Sequence, residues 1–223
     1  MQEFNTPTAV TAVLHVPAGR IRLIAADRTD TTVEVRPANA AESRDVKAAE
    51  LAEVGYADGV LRIVVPEGGR RVLGASGSVE VTVQLPAGSH VEAKAAAAEL
   101  RGVGRLGDVT FEGARGTVKL DEAGDARLVL QDGDITVGRL GGSAEIRTSK
   151  GDLRVAAAER GTVVLDTAYG EIEIGTARGV SAVLDAGTAH GRVHNALRNA
   201  DGAAAGLVVR ATTSYGDITA RSL

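Results

Sequence analysis

The segment that decides the fold is Thr148-Ser149-Lys150-Gly151-Asp152-Leu153, in which a threonine precedes a Gly-acid-aliphatic triplet. The same order returns as Thr167-Ala168-Tyr169-Gly170-Glu171-Ile172 and as Thr213-Ser214-Tyr215-Gly216-Asp217-Ile218. A looser form, Gly followed by a polar and then an aliphatic residue, recurs every 17 to 25 residues from Gly116 to Gly216. A period of this length indicates a repeat architecture.

Each repeat predicts two short strands. Two positions after each glycine, or after Ala98 in the first repeat, where alanine takes the place of glycine, stands an aliphatic residue with polar neighbours, the pattern of a half-buried strand: Leu100, Val118, Ile135, Leu153, Ile172, Val193 and Ile218. A second strand precedes each glycine, with the inward pairs Val91/Ala93, Val109/Phe111, Ala126/Leu128, Ala144/Ile146, Val163/Leu165, Ala182/Leu184 and Leu207/Val209. This alignment requires two extra turn residues in each of the last two repeats.

Equivalent strands are expected to stack in parallel about 4.8 Å apart, so that each coil buries the apolar face of its neighbour. We therefore predict an all-β fold, with a parallel β-solenoid of about seven short two-strand coils over residues 91–223. Right-handed coils are expected because parallel crossovers are usually right-handed. The low aromatic content, 2% of residues, agrees with thin coils filled by aliphatic side chains.

The pattern differs over residues 1–90, where we predict antiparallel strands that cap the first coil and share its core. Strands are expected near residues 31–36, 53–57, 60–65 and 78–85, with one helix over 41–51 and a flexible loop over 67–78. Such a cap would protect an edge that otherwise invites pairing with other chains.

The Thr-x-x-Gly-acid-aliphatic repeats and the Leu85-Pro86-Ala87-Gly88 turn resemble the bacterial adhesin-like β-strand-repeat family of the DUF4097 type. The resemblance implies a β-solenoid. It supplies no catalytic residue, because the family has no established activity. Some relatives are cell-envelope proteins, whereas the export and membrane segments of those proteins are not found in this sequence.

Composition removes several classes of function. The chain has no cysteine, which excludes disulfides, thiolate metal sites and a cysteine nucleophile. A net charge of −4 argues against nucleic-acid binding, which needs a basic surface. The N-terminus does not resemble a signal peptide, and no apolar run reaches the roughly 20 residues of a membrane helix. We expect a cytoplasmic protein that does not insert into a membrane.

Three motifs have a chemical and a structural interpretation, and the structural one is favoured in each. The run Gly102-Val103-Gly104-Arg105-Leu106-Gly107 matches a dinucleotide fingerprint, but a strand pattern follows it where the fingerprint needs a helix. The acidic column Asp134, Asp152 and Glu171 resembles a solvated face more than a Ca²⁺ site. His190 and His194 have a spacing that suits a helix better than these strands. We therefore expect no cofactor, no metal and no catalytic residue.

Two sets of residues predict an interaction face. The position before the turn glycine holds Tyr169, His190 and Tyr215, and tyrosine is favoured at interfaces. An outward position that is polar in early repeats becomes Val164, Val183 and Val208 in later ones. Exposed contiguous apolar surface indicates a partner or oligomer contact. The alternative is that the loop over residues 196–206 folds back over the valines.

The sequence thus predicts a non-catalytic scaffold or interaction module that binds a protein or a second copy of itself. One alternative is a structural polymer in which solenoid ends pair coil to coil. A less favoured alternative is a hydrolase or lyase that acts on polysaccharide.

Overall fold

The computed structural model describes residues 1–66 and 77–223, which form two compact units, Met1–Gly116 and Thr117–Leu223. The predicted division into residues 1–90 and 91–223 stays a prediction. The elements of the first unit are β1 (Gln2–Asn5), β2 (Thr11–His15), β3 (Ala18–Ala26), β4 (Asp30–Pro37), α1 (Ser43–Glu50), β5 (Glu53–Ala57), β6 (Val60–Val64), β7 (Val79–Pro86), β8 (His90–Arg105) and β9 (Val109–Arg115).

Parallel coils form most of the first unit. Strand β2 pairs in parallel with both β6 and β8, and β3 pairs in parallel with both β7 and β8. The coil β2/β3 therefore lies between the coil β6/β7 and the coil formed by β8. The spatial order differs from the chain order, because β6/β7 follows β2/β3 in sequence but lies farther out.

Antiparallel strands are confined to the outside of this unit. Strand β4 pairs antiparallel with β7 and with β1, and β5 pairs antiparallel with β6. The prediction of an antiparallel N-terminal region is thus correct for β1, β4 and β5, correct on one side of β6 and β7, which each have one antiparallel and one parallel partner, and wrong for β2 and β3. The physical reason is that β2 and β3 have a strand on each side and alternate like the later repeats, so they form a full coil.

The second unit repeats the two-strand coil. Its strands are β10 (Val118–Ala123), β11 (Ala126–Val129), β12 (Ile135–Leu140), β13 (Ala144–Lys150), β14 (Leu153–Ala158), β15 (Gly161–Tyr169), β16 (Ile172–Thr176), β17 (Ala182–His190), β18 (Val193–Ala196), β19 (Leu207–Tyr215) and β20 (Ile218–Ser222). The strands β10 to β20 pair with one another in parallel, as the repeat predicts.

The last two coils of this unit exchange places. Strand β19 pairs with β15 on one side and β17 on the other, and β20 pairs with β16 and β18. The coil β17/β18 is therefore outermost, and β19/β20 lies inside it. The coils therefore do not stack in chain order at this point, and the Thr-x-x-Gly repeat did not indicate this because its pattern suits either neighbour.

The register of these coils also corrects the sequence alignment. Val163 and Leu184 are both register partners of Val209, each seven positions before its turn glycine. No extra turn residues are needed, so the predicted pairs Ala182/Leu184 and Leu207/Val209 were shifted by two positions relative to Val163/Leu165. The number of residues between this register position and the turn glycine is the same in all three strands, so the last two repeats contain no inserted turn residues.

Burial confirms most of the predicted core. The aliphatic residues two positions after the glycines are 0–1% exposed in all repeats except one, in which Val193 is 44% exposed. Val193 lies in the outermost coil, where no further coil covers it. The predicted helix over 41–51 is α1, slightly shorter at both ends. Of the predicted loop over 67–78, residues 67–76 lie outside the described part of the chain. The β-solenoid class is confirmed, and its handedness stays a prediction.

Candidate functional site

The turn glycines are required by close backbone contacts between coils. Gly151 and Gly216 have φ of 143° and 149°, which side chains rarely adopt. A Cβ on Gly151 would lie 2.2 Å from the carbonyl oxygen of Gly133, and one on Gly216 would lie 2.0 Å from that of Gly170. The motif glycine therefore allows successive turns to stack at van der Waals distance.

The motif threonine ties each turn to the coil before it in space. The hydroxyl Oγ1 donates a hydrogen bond to the carbonyl oxygen of the neighbouring turn glycine: Thr167 to Gly151 at 3.1 Å, Thr213 to Gly170 at 3.1 Å and Thr188 to Gly216 at 3.0 Å. The sequence contained this residue in its motif but gave it no role. The bonds follow the spatial order of the coils, with Thr188 reaching inward to the β19/β20 turn.

The acidic residue of the motif has a matching structural role. Asp134 Oδ1 accepts a hydrogen bond from the backbone N–H of Asp152 at 2.9 Å, and Asp152 Oδ1 accepts one from Glu171 at 2.9 Å. Asp217 Oδ1 accepts from the N–H of Arg192 at 2.8 Å. The acidic column thus binds backbone donors of the next coil. Within residues 1–66 and 77–223, no group of three or more His, Asp or Glu side chains is arranged to hold a metal ion.

The three residues before the last turn glycines form a stack on the surface. Tyr169 and Tyr215 have ring centroids 5.0 Å apart and planes 3° from parallel, and His190 stacks on Tyr215 at 4.6 Å and 13°. Tyr215 is in the middle because β19 lies between β15 and β17. Tyr169 is 57% exposed and Tyr215 48% exposed. The structure thus brings together the predicted Tyr169, His190 and Tyr215.

The three predicted valines do not share one row across the strands. Val183 and Val208 are register partners, whereas Val164 is the partner of Arg210, which in turn pairs with Asp185. All three valines are half-buried. Sequence analysis missed Arg210 and Asp185 because the alignment was shifted. The constant spacing to the turn glycine was the signal that would have placed them.

The loop after β18 runs beside the start of β17. A 3₁₀ turn, Gly202–Ala204, packs against β17. The backbone N–H of Ala182 donates to the carbonyl of Arg198 at 3.0 Å, and the N–H of Asp201 donates to Ser181 Oγ at 3.1 Å. The loop therefore anchors the first residues of β17, where Val183 stands. The interaction role of the stack and of the valines stays a prediction.

The glycine-rich run near residue 104 is structural. Gly104 lies in β8 with φ of 82°, and a Cβ there would lie 2.1 Å from the carbonyl oxygen of Ala25 in β3. Strand β9 follows, where a dinucleotide site would need a helix. The glycine serves close strand packing. In the part of the chain that the structure describes, no helix has the length and apolar character needed to cross a bilayer.

Comparison with known proteins defines the class of this fold. The chain resembles the crystal structure of a candidate adhesin from Bacteroides fragilis NCTC 9343, with a TM-score of 0.57 and 12% identity over 100% of this chain and 95% of that one. A candidate adhesin from Parabacteroides merdae ATCC 43184 aligns with a TM-score of 0.46 and 12% identity, over 98% of this chain and 94% of that one. The first likeness shows a shared fold.

The family model of Toastrack DUF4097 matches residues 13–221, almost the whole chain. The chain therefore belongs to the Toastrack DUF4097 family, as the motif resemblance predicted. A search of curated proteins found no match. The fold and the family define this chain as a Toastrack protein.

Proposed function

We propose that this chain is a non-catalytic interaction module that binds a protein through the ring stack of Tyr169, Tyr215 and His190. The observation that carries the proposal is the exposure of three stacked rings at the turn edge of three neighbouring coils. A soluble fold gains little from leaving aromatic rings on its surface, whereas tyrosine and related residues are enriched in interfaces.

The stack supports binding because its geometry is fixed before a partner arrives. Each ring stands on a strand whose turn is held by a threonine and an acidic residue of the motif, as at Thr213 and Asp217. Little side-chain entropy would be lost on association, so more of the contact energy would contribute to affinity. The half-buried Val183 and Val208 lie on the same pair of strands as His190 and Tyr215, seven positions before each ring.

The surroundings favour a protein partner over a small substrate. Two acidic residues of the motif, Asp152 and Asp217, accept backbone hydrogen bonds from the adjacent coil. Carboxylates held in this way are occupied structurally and do not converge on one cleft, as glycoside hydrolysis would require. A polysaccharide-cleaving activity therefore has no supporting observation.

The test is a quantitative binding series with matched variants. Tyr169→Ser and Tyr215→Ser in one chain should lower partner enrichment in affinity capture, or self-association in sedimentation equilibrium, at least about tenfold. Lys119→Ala, an exposed residue on β10, is the control and should leave both unchanged. Binding that persists in the double tyrosine variant would rule out the stack as the binding surface.

A second candidate is self-assembly through the outermost coil of the second unit. The observation in its favour is that β17 and β18 each have one strand partner in the described chain, whereas β19 and β20 have two. Exposed edges of this kind pair with other strands. Filaments or oligomers that grow with protein concentration, seen by electron microscopy and sedimentation, would support it, and a monomer at high concentration would exclude it.

A further inference from the structure

The outermost coil of the second unit is a detour of the chain. Residues 177–206 leave the end of β16, form β17 and β18, and return to the start of β19, which lies one coil farther in. We infer that residues 177–206 open as one unit while the rest of Thr117–Leu223 stays folded, and that opening uncovers a complete strand edge on β19/β20. This inference does not depend on the proposed binding through the ring stack.

Chain continuity supports a separate unit. Thr176 is the register partner of Ala158, and Leu207 is the register partner of Gly161. One coil earlier, only Glu159 and Arg160 connect these two positions. The ends of the detour thus stand where a connection of two residues suffices. If residues 177–206 were replaced by such a two-residue connection, the inner coils would follow one another as in a regular solenoid.

The coil is held by little buried apolar surface. Every residue of β18 is exposed, and Leu184 of β17 is only half-buried. Its register partner Val209 and the neighbouring Leu207 of β19 are completely buried. Because burial of apolar area provides most of the free energy that holds a segment in place, the outermost coil opens at a lower cost than the coil beneath it.

The coil beneath is complete without its cover. Strands β19 and β20 keep their pairing with β15 and β16, so opening leaves them in place. Opening releases the Gly216 carbonyl from Thr188 Oγ1, Asp217 Oδ1 from the N–H of Arg192, and the Tyr215 ring from His190. These two acceptors and this ring are the groups on β19/β20 to which a neighbouring Thr-x-x-Gly coil binds. The occupant of this edge is the segment 177–206 itself.

The segment also differs from the inner coils at the position that would bind a further coil. The motif acid that accepts a backbone N–H from the next coil is Asp152 and Asp217 in inner coils, and Arg192 replaces it in the outermost one. A guanidinium has no acceptor for that N–H. A further coil stacked in parallel on β17/β18 would therefore lack this one hydrogen bond, and the segment acts as a removable cover.

Four backbone amides report the opening directly in the full chain. The N–H of Gly216 donates to the backbone carbonyl oxygen of His190 at 3.1 Å, and the N–H of Ile218 donates to that of Arg192 at 2.9 Å. Both amides therefore lose their acceptors when the coil opens. The N–H groups of Gly170 and Ile172 donate to the backbone carbonyl oxygens of Tyr215 and Asp217, each at 3.0 Å, and keep these acceptors when the coil opens. Hydrogen exchange measured by NMR should be at least about tenfold faster for the first pair.

Two variants sharpen the test. Thr188→Val removes the Oγ1 bond to Gly216 and should speed exchange of the Gly216 and Ile218 amides about fivefold, with little change at Gly170 and Ile172. Leu184→Ala should have the same selectivity and serves if the first variant is not folded. Thr167→Val, which removes the same bond to Gly151 in an inner coil, is the control and should not increase the difference between the two pairs.

Two outcomes would overturn the inference. One is exchange of all four amides at a common rate in the unmodified chain, which would mean that the coil opens only with the whole unit. The other is a dependence of the Gly216 and Ile218 rates on protein concentration over a tenfold range, which would tie opening to association of copies.

Discussion

The outermost coils of the two units are finished differently. In the first unit, β6/β7 is covered by the antiparallel strands β5 and β4, and β1 follows on β4. In the second unit, β17/β18 has no further strand among the described residues. Both coils are detours, because an inner coil follows each of them in the chain. Antiparallel strands therefore cover the first detour, whereas the second, which we infer to be removable, has none among the described residues.

Buried side-chain bonds strengthen the first of these covers. The buried carboxylate of Asp45 in α1 accepts backbone hydrogen bonds from Ser78 at 2.9 Å and Asn39 at 3.1 Å. Thr6 and Thr31 share a buried bond of 2.8 Å between their hydroxyls. The loop that holds β17 uses exposed groups such as Asp201 instead. Buried, charge-assisted bonds contribute more than exposed ones, so the two covers differ in strength as well as in topology.

The largest expected effect comes from the turn glycines. Gly151→Ala in an inner coil should unfold the second unit or lower its stability by about 3 kcal/mol or more, because Cβ would overlap the Gly133 carbonyl. Gly191→Ala, with a Cβ 2.0 Å from the Gly216 carbonyl, should open only the outermost coil. Gly187→Ala has open space and should be silent. Thermal unfolding with exchange at Gly216 separates these cases, and equal global losses for the first two would contradict them.

Two leucines, one in an inner coil and one in the outermost coil, measure the same contrast through burial. Leu165→Ala removes a side chain that is 1% exposed and should cost about 3 kcal/mol in denaturant unfolding. Leu184→Ala removes a half-buried side chain in the outermost coil and should cost about 1 kcal/mol or less. If both losses were the same size, the outermost coil would be as firmly packed as the inner ones.

The cover of the first unit should be sensitive to its buried carboxylate. Asp45→Ala leaves the N–H groups of Ser78 and Asn39 without their acceptor and should lower stability by about 2 kcal/mol. Lys47→Ala, exposed on the same helix, is the control. Exchange at Gly216 and Ile218 should not change, and a faster rate there would show that this cover does not act on the first unit alone.

The smallest effect concerns Asp30 at the start of β4. A hydrogen bond from the Arg28 guanidinium lowers the pKa of the Asp30 carboxyl. The pair therefore stabilises the fold above the ordinary pKa of about 3.9, and this contribution disappears as the pH falls through the lowered folded value. Arg28→Leu should return the pKa of Asp30 toward its ordinary value in an NMR titration. An unchanged titration would mean that Arg28 does not set the pKa.

The repeat predicted the coils but not their order. The residues that the repeat columns placed inward are buried except Val193 and Leu184, since a period of two fixes which side chains face inward. They did not reveal that β19/β20 lies inside β17/β18, because each coil offers the same acceptors to either neighbour. Arg192, a cation in an acidic column, was the one visible mark of an outermost coil.

The candidate site was also predicted only in part from the sequence. Tyr169, His190 and Tyr215 were predicted as a group because each stands immediately before a turn glycine. Their stacking sequence, with Tyr215 in the middle, depended on the strand order and was beyond the pattern. The valine row failed because the alignment assumed insertions that the turns do not contain.

The exchanged order of the last coils has a consequence for synthesis. Residues 177–196 leave the ribosome before residues 207–223, at a time when β15 and β16 still have a free edge. The common spacing to the turn glycine would let β17/β18 pair with that edge before β19/β20 exists, an order that differs from the finished one. In that case β19/β20 would have to displace it. A chain that stops before Leu207 is expected to keep this early stack, so residues 207–223 would decide the order of the coils made before them.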